Sequence, residues 1–180
     1  MHFDIYETLP REENVNRAPL GCRYDDQIKI YGQELQEKLK KVKLFMVGAG
    51  ALGCELIKAF SLMGIGCSPE GKVHCTDNDN IEVSNLNRQF LFRQTNVGHS
   101  KSECACAIAK GMNKDLNVKD YMTRVGADTE AVFDDEFWES IHFVVNAVDN
   151  IHARLYVDQR CVWYEKPLLE SGTLGTKANS

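Results

Sequence analysis

Six residues, Gly48-Ala49-Gly50-Ala51-Leu52-Gly53, restrict what this chain can fold into more than any other feature. Before them, Lys43-Leu44-Phe45-Met46-Val47 reads as a short buried strand. After them, Ala51 to Met63 reads as a helix, because Leu52, Leu56, Phe60 and Met63 recur at helical spacing and form one apolar face. Glycines between a strand and a helix permit a tight turn, let backbone N–H groups approach a phosphate or ribose, and let the helix lie close on the sheet. The helix N-terminus adds unpaired donors and a positive dipole end. By itself the pattern also fits a glycine turn that binds nothing.

The rest of the chain alternates as a wound sheet requires. Tyr24 to Lys41 reads as a helix broken or bent at Gly32, and Gly71 to Thr76 as a strand. Lys101 to Met112 reads as a helix with Ala105, Ile108 and Met112 on one side, and Val118 to Val125 as a strand. Thr129 to Ser140 reads as a helix, His142 to Val148 as a strand, Asn150 to Tyr164 as a helix and Pro167 to Ser171 as a last strand. The order implies an α/β, Rossmann-like fold, a largely parallel sheet with helices on both faces. Residues 1 to 22, charged and holding Pro10 and Pro19, read as a linker or N-terminal extension. Residues 23 to 180 read as part of one domain.

Composition narrows the partners. Hydrophobic residues are 43%, the net charge is −5 and no basic run stands out, which argues against nucleic acid and membrane surfaces. No apolar run approaches the ~20 residues that span a bilayer. The seven cysteines are odd in number and form no Cys-x-x-Cys, so they read as reduced thiols of a cytoplasmic or nuclear protein. Cys54 and Cys75 fall at core positions.

Ligands of such sheets bind beyond the carboxyl ends of the strands. Gly48, Asp77 and Asp149 end three of the expected strands and should open onto one edge. Asp77 is placed to bond ribose hydroxyls or, alternatively, to shape a turn. A second acid, Asp79, is a metal or turn candidate. The segment Ser84-Asn85-Leu86-Asn87-Arg88-Gln89 gathers a cation and several amides, which suit a triphosphate and metal better than a nicotinamide. Asp149 could ligate magnesium, which takes carboxylate and phosphate oxygens, or cap the helix that starts near Asn150. Ser100-Lys101-Ser102-Glu103 matches a capping box and puts Lys101 in a first helical turn. The dipole there disfavours a cation unless an anion lies in front; the alternative is a solvated lysine. Arg88 is either a surface arginine or is oriented by the apolar anchor Phe90-Leu91-Phe92.

Taken together, Arg23-Tyr24-Asp25-x-Gln27, the Gly48 motif, Ser84 to Arg93, Val125-Gly126, Asn146-Ala147-Val148-Asp149-Asn150 and Pro167 to Gly175 stand in a familiar order. Over residues 20 to 180 the chain resembles the active adenylation half of the ubiquitin-activating enzymes, of the ThiF/MoeB-type adenylating family. The resemblance implies binding of ATP with Mg2+ and attack of the ubiquitin C-terminal carboxylate on the α-phosphate, giving an acyl-adenylate and pyrophosphate. It places Gly48, Gly50, Ala51 and Gly53 at the nucleotide and Asp77 on the ribose. It turns Asn85, Arg88, Gln89 and Lys101 to the phosphates, and sets Val125 and Gly126 at the adenine end. It makes Asp149 the principal magnesium ligand, with Asp79 a weaker one, so that Arg88, Lys101 and Asp149 carry the catalysis.

The departures bear equally on function. The family's thioester cysteine lies in a later Cys-Thr motif, a context that none of the seven cysteines here has. The inactive adenylation half and the domain that recruits the conjugating enzyme have no counterpart in the sequence either. The chain is therefore expected to be a piece of a longer protein, incompetent in the full reaction. An enzyme for another ubiquitin-like modifier stays open, as do a nicotinamide-dependent oxidoreductase and a scaffold without chemistry. The oxidoreductase leaves Arg88, Lys101 and Asp149 without a role.

Overall fold

A computed structural model describes residues 15–174 and 177–179. The chain forms α1 (Asp25–Tyr31), α2 (Gln33–Lys40), β1 (Lys43–Val47), α3 (Ala51–Met63), β2 (Lys72–Thr76), α4 (Lys101–Met112), β3 (Val118–Tyr121), α5 (Asp135–Ser140), β4 (Phe143–Asn146), α6 (Ile151–Trp163) and β5 (Leu168–Glu170). A two-stranded antiparallel unit, β6 (Gly172–Leu174) and β7 (Lys177–Asn179), follows. The main sheet runs β3-β2-β1-β4-β5, every pair parallel. Chain order reverses between β1 and β4, and at such a switch point an open α/β sheet binds its ligand.

Two apolar clusters cover the two faces. On one, α3 and α4 pack through Cys54, Ile57, Phe60, Ala105 and Ala109 onto Leu44, Met46, Val73 and Cys75. On the other, Phe45 is ringed by Phe133, Phe137 and Trp138, with centroids 4.9–5.7 Å away. Parallel strands covered on both faces must be apolar on both sides, and Leu44 to Val47 are all buried.

β1, α3 and α4 fall where the spacing puts them, and the helix expected at Tyr24–Lys41 breaks at Gly32 (φ +88°). Four expectations need correction. The buried face of α3 is Gly53, Cys54, Ile57, Phe60 and Ser61; Leu52 and Leu56 sit at its shoulders and Met63 is exposed. The helix turns its small residues to the sheet because Gly53 lies against the Gly48 carbonyl, where a Cβ would come within 2.2 Å. β3 ends at Tyr121 rather than Val125: the Tyr121 carbonyl makes the last ladder bond, from Asp77 N–H (3.2 Å), and the chain then turns Val125 into the second cluster. The helix expected from Thr129 is only α5, because the Asp134 side chain accepts from Phe137 N–H (2.9 Å) and starts a new helix there. The β6–β7 unit was not anticipated, its strands being too short for a periodic signal. Residues 1–14 of the expected linker, and Gly175 of the last motif, lie outside the described residues; residues 15–20 have no regular structure.

Candidate active site

The loop after β1 is held by its neighbours on both sides. Gly48 has φ +102°, and a Cβ there would meet the Ala147 carbonyl oxygen, on the loop after β4, at 2.6 Å. Its N–H donates to the Thr76 carbonyl (2.8 Å). Ala49 N–H donates to Asp77 Oδ2 (2.7 Å), while Asp79 N–H donates to Asp77 Oδ1 (2.9 Å). Asp77 therefore shapes the loop as well as facing the edge, and each oxygen keeps a lone pair for a ligand hydroxyl. Burial raises the Asp77 pKa, with the two backbone donors working against that rise. Gly50 differs from the other two: it ends the loop at the start of α3, and the nearest atom to a Cβ there is Gln89 Nε2, 4.0 Å away. Ala51 opens α3 and is half-buried. Gly48 and Gly53 thus serve packing, and Gly50 leaves room for a ligand to reach the helix end.

Lys101 is neither solvated nor free. Its ammonium lies 2.7 Å from Asp79 Oδ2, its side chain is 10% exposed, and its N–H donates to the Asp79 carbonyl (3.0 Å). Ser100 caps α4 by accepting from Glu103 N–H (3.4 Å). In the polar segment, Asn85 is buried and accepts from Glu82 N–H (3.0 Å). Gln89 is buried too, and its Oε1 has no hydrogen-bond partner among the described residues. Arg88 is exposed and donates to the Ser84 carbonyl (3.0 Å). Leu91 and Phe92 are buried in the first cluster, so the apolar run does anchor this segment. Val125 is buried, and Gly126 N–H donates to Thr129 Oγ1 (3.1 Å).

In the loop after β4 the cap considered for Asp149 is made by its neighbour. Asn150 caps α6, its Oδ1 accepting from His152 N–H (2.8 Å) and Ala153 N–H (3.4 Å). Asp149 is exposed and makes no hydrogen bond or ion pair among the described residues. Sequence reasoning missed the residue that holds this loop. Arg154 forks onto the Val148 carbonyl through Nε (2.9 Å) and Nη2 (2.7 Å), and reaches the Ser171 carbonyl (3.3 Å) beyond β5. Glu170 backs it: Oε2 accepts from the buried Asn146 amide (2.7 Å), and Oε1 pairs with Arg154 at 3.3 Å without hydrogen-bond alignment. Its only sequence signal was position, a cation one helical turn inside α6.

Among the described residues no group of three or more His, Cys, Asp or Glu side chains gathers to hold a metal. That suits magnesium, which is usually held by one or two carboxylates together with substrate phosphates. Asp149 has its carboxylate to spare, whereas Asp79 shares its own with Lys101. No helix is long and apolar enough to cross a membrane among the described residues.

The ThiF family pattern matches residues 24–180. The chain belongs to the ThiF family. This ThiF-family chain is 52% identical over 187 residues to Ubiquitin-activating enzyme E1 1 of Candida albicans (strain WO-1), an alignment covering 100% of the chain and 18% of that protein. It is 55% identical over 174 residues to Ubiquitin-like modifier-activating enzyme 1 of Dictyostelium discoideum, covering 97% and 17%. The chain thus spans less than a fifth of these relatives' length. Among solved structures it resembles E. coli tRNA N6-threonylcarbamoyladenosine dehydratase, TcdA, in complex with ATP: TM-score 0.76 over 86% of this chain and 61% of that one, at 23% identity, a likeness of fold.

Proposed function

We propose that residues 23–180 are the ATP-binding part of the active adenylation domain of a ubiquitin-activating enzyme, preceded by a linker over residues 1–22. The reading is carried by 52–55% identity, across 97–100% of the chain, to proteins named as activating enzymes for ubiquitin or ubiquitin-like modifiers. The geometry supports the nucleotide half of it. The approach to Gly50 is open, with the Gln89 amide nitrogen the nearest atom to a Cβ there at 4.0 Å, and a cation and a carboxylate stand together at Lys101 and Asp79.

In this reading ATP lies across the switch point, with its ribose on Asp77, its phosphates before the start of α3 and its adenine toward Val125 and Gly126. The C-terminal carboxylate of ubiquitin attacks the α-phosphorus; an O–P bond forms, the bond to the β-phosphate oxygen breaks, and pyrophosphate leaves. The carboxylate is already ionised, so no general base is needed. Charge accumulates on the phosphoryl oxygens, where fixed cations do most for the rate. Arg88 and Lys101 supply those cations, and Asn85 and Gln89 supply amide donors. Magnesium would be held by Asp149, with Asp79 as a further carboxylate, and would offset phosphate charge. The inactive adenylation half of the same parent pairs with this half, the conjugating enzyme engages other domains of the parent, and the parent works in cytoplasm and nucleus. A second reading, an enzyme for another ubiquitin-like modifier, is favoured by the name of the Dictyostelium relative.

Calorimetry tests the nucleotide assignment. Asp149→Ala is expected to weaken MgATP binding about tenfold or more while leaving AMP binding unchanged; equal losses would overturn the metal role. In the parent protein, Lys101→Ala and Arg88→Ala are each expected to slow ubiquitin-dependent ATP–pyrophosphate exchange by about 10²-fold. An unchanged rate at saturating ATP would remove either residue from catalysis.

A further inference from the structure

A second polar concavity lies at the opposite edge of the sheet. It encloses about 330 Å³ at the N-terminal ends of β1 and β2, lined by Lys43, Gly71, Lys72, His74, Asn117 and Ser140. A five-residue strand spans roughly 16 Å, so the glycine loop and this cavity stand at opposite ends of β1. Lys43 pairs in register with Lys72, and His74 with Lys119. Alternate strand residues share a face, which puts the three lysines and His74 on the same side of three adjacent strands.

None of Lys43, Lys72 and Lys119 has an ion-pair partner among the described residues. The carboxylate at the cavity rim, Glu70, is engaged by Lys41 at 3.1 Å. Unpaired like charges on neighbouring strands repel one another, and this chain is acidic overall, so their convergence is not a by-product of a basic surface. At the floor, His74 Nδ1 meets the Tyr121 hydroxyl at 2.9 Å, while Nε2 has no hydrogen-bond partner among the described residues. With the Tyr121 hydroxyl donating to Nδ1, Nε2 carries the proton and is a donor. Burial and then the charges of Lys72, Lys119 and Lys43 push the imidazole pKa down to about 4.

We infer that this cavity is a binding site for a small multivalent phosphate anion, separate from the glycine edge, with Lys43 and Lys72 as its principal cations, Lys119 as an outer one and His74 Nε2 as a neutral donor. The volume is at the low end for small-molecule sites.

The whole chain, titrated with inorganic tripolyphosphate at ionic strength held constant with sodium chloride, tests this by NMR. The His74 ring signals are expected to shift and saturate. Lys43→Gln/Lys72→Gln is expected to weaken that response about tenfold, while any response of the Gly48 to Gly50 amides persists. Lys119→Gln is expected to weaken it less, and the Lys43→Arg/Lys72→Arg variant to retain it, which separates charge from damage to the strand starts. A response confined to the glycine loop, a His74 shift matched by sodium chloride alone, or an undiminished shift in Lys43→Gln/Lys72→Gln would each overturn the proposal.

Discussion

The loops after β1 and β4 meet at one edge, yet they are held by opposite chemistry. A carboxylate holds the first: Asp77 accepts two backbone N–H groups and fixes Ala49 and Asp79. A guanidinium holds the second: Arg154 donates to the carbonyls of Val148 and Ser171. In the first loop the charged group that shapes the backbone also faces the edge. In the second the work is divided, with Arg154 and Asn150 shaping the loop and Asp149 left without partners among the described residues. A substitution at Asp77 should therefore change stability and binding together, whereas at Asp149 the two should separate.

The strongest way to break this contrast is to disturb the place where the loops touch. Gly48→Ala puts a methyl group 2.6 Å from the Ala147 carbonyl at a left-handed φ. It is expected to cost about 3 kcal/mol or more in urea unfolding, because backbone faces backbone and neither can yield cheaply. Asp77→Ala is expected to cost about 2–3 kcal/mol by leaving two N–H groups without their acceptor, and to weaken ATP and AMP binding alike. A purely binding defect at full stability would show that Asp77 does not shape the loop. Arg154→Ala is expected to lower stability by about 1–2 kcal/mol and to weaken MgATP more than AMP, because the loop carrying Asp149 loses its tie to β5. Arg154→Lys should recover only part of this, since an ammonium cannot reproduce the fork. The smallest effect belongs to Asp149→Ala, expected to leave stability within about 0.5 kcal/mol; a larger loss would mean that the second loop is built like the first.

How much of this was legible depended on range. β1 follows from a short apolar run, α3 and α4 from apolar spacing over a dozen residues, and Ser100 caps its helix, though only its own half of the expected capping box forms among the described residues. The edge on which Gly48, Asp77 and Asp149 converge followed from strand order alone. What stayed hidden was set by tertiary contact. The early end of β3 depends on where the chain leaves the sheet to bury Val125 in the second cluster. The Lys101–Asp79 pair spans 22 residues, and the Arg154–Glu170–Asn146 network joins a helix to two strands. No window of sequence holds both ends of such contacts.

The cap of α6 has a consequence for how the edge would take up a ligand. Asn150, a neutral amide, fixes the helix start in two hydrogen bonds, so the backbone on either side of Asp149 is settled before anything binds. Capturing the Asp149 carboxylate then freezes two side-chain torsions, a loss well below the ~1–2 kcal/mol per residue of ordering backbone. Had the aspartate been the cap, a ligand cation would have had to draw it away from the helix, and recruitment would have been a competition. Here it would be a selection among rotamers, on the fast timescale of an exposed side chain.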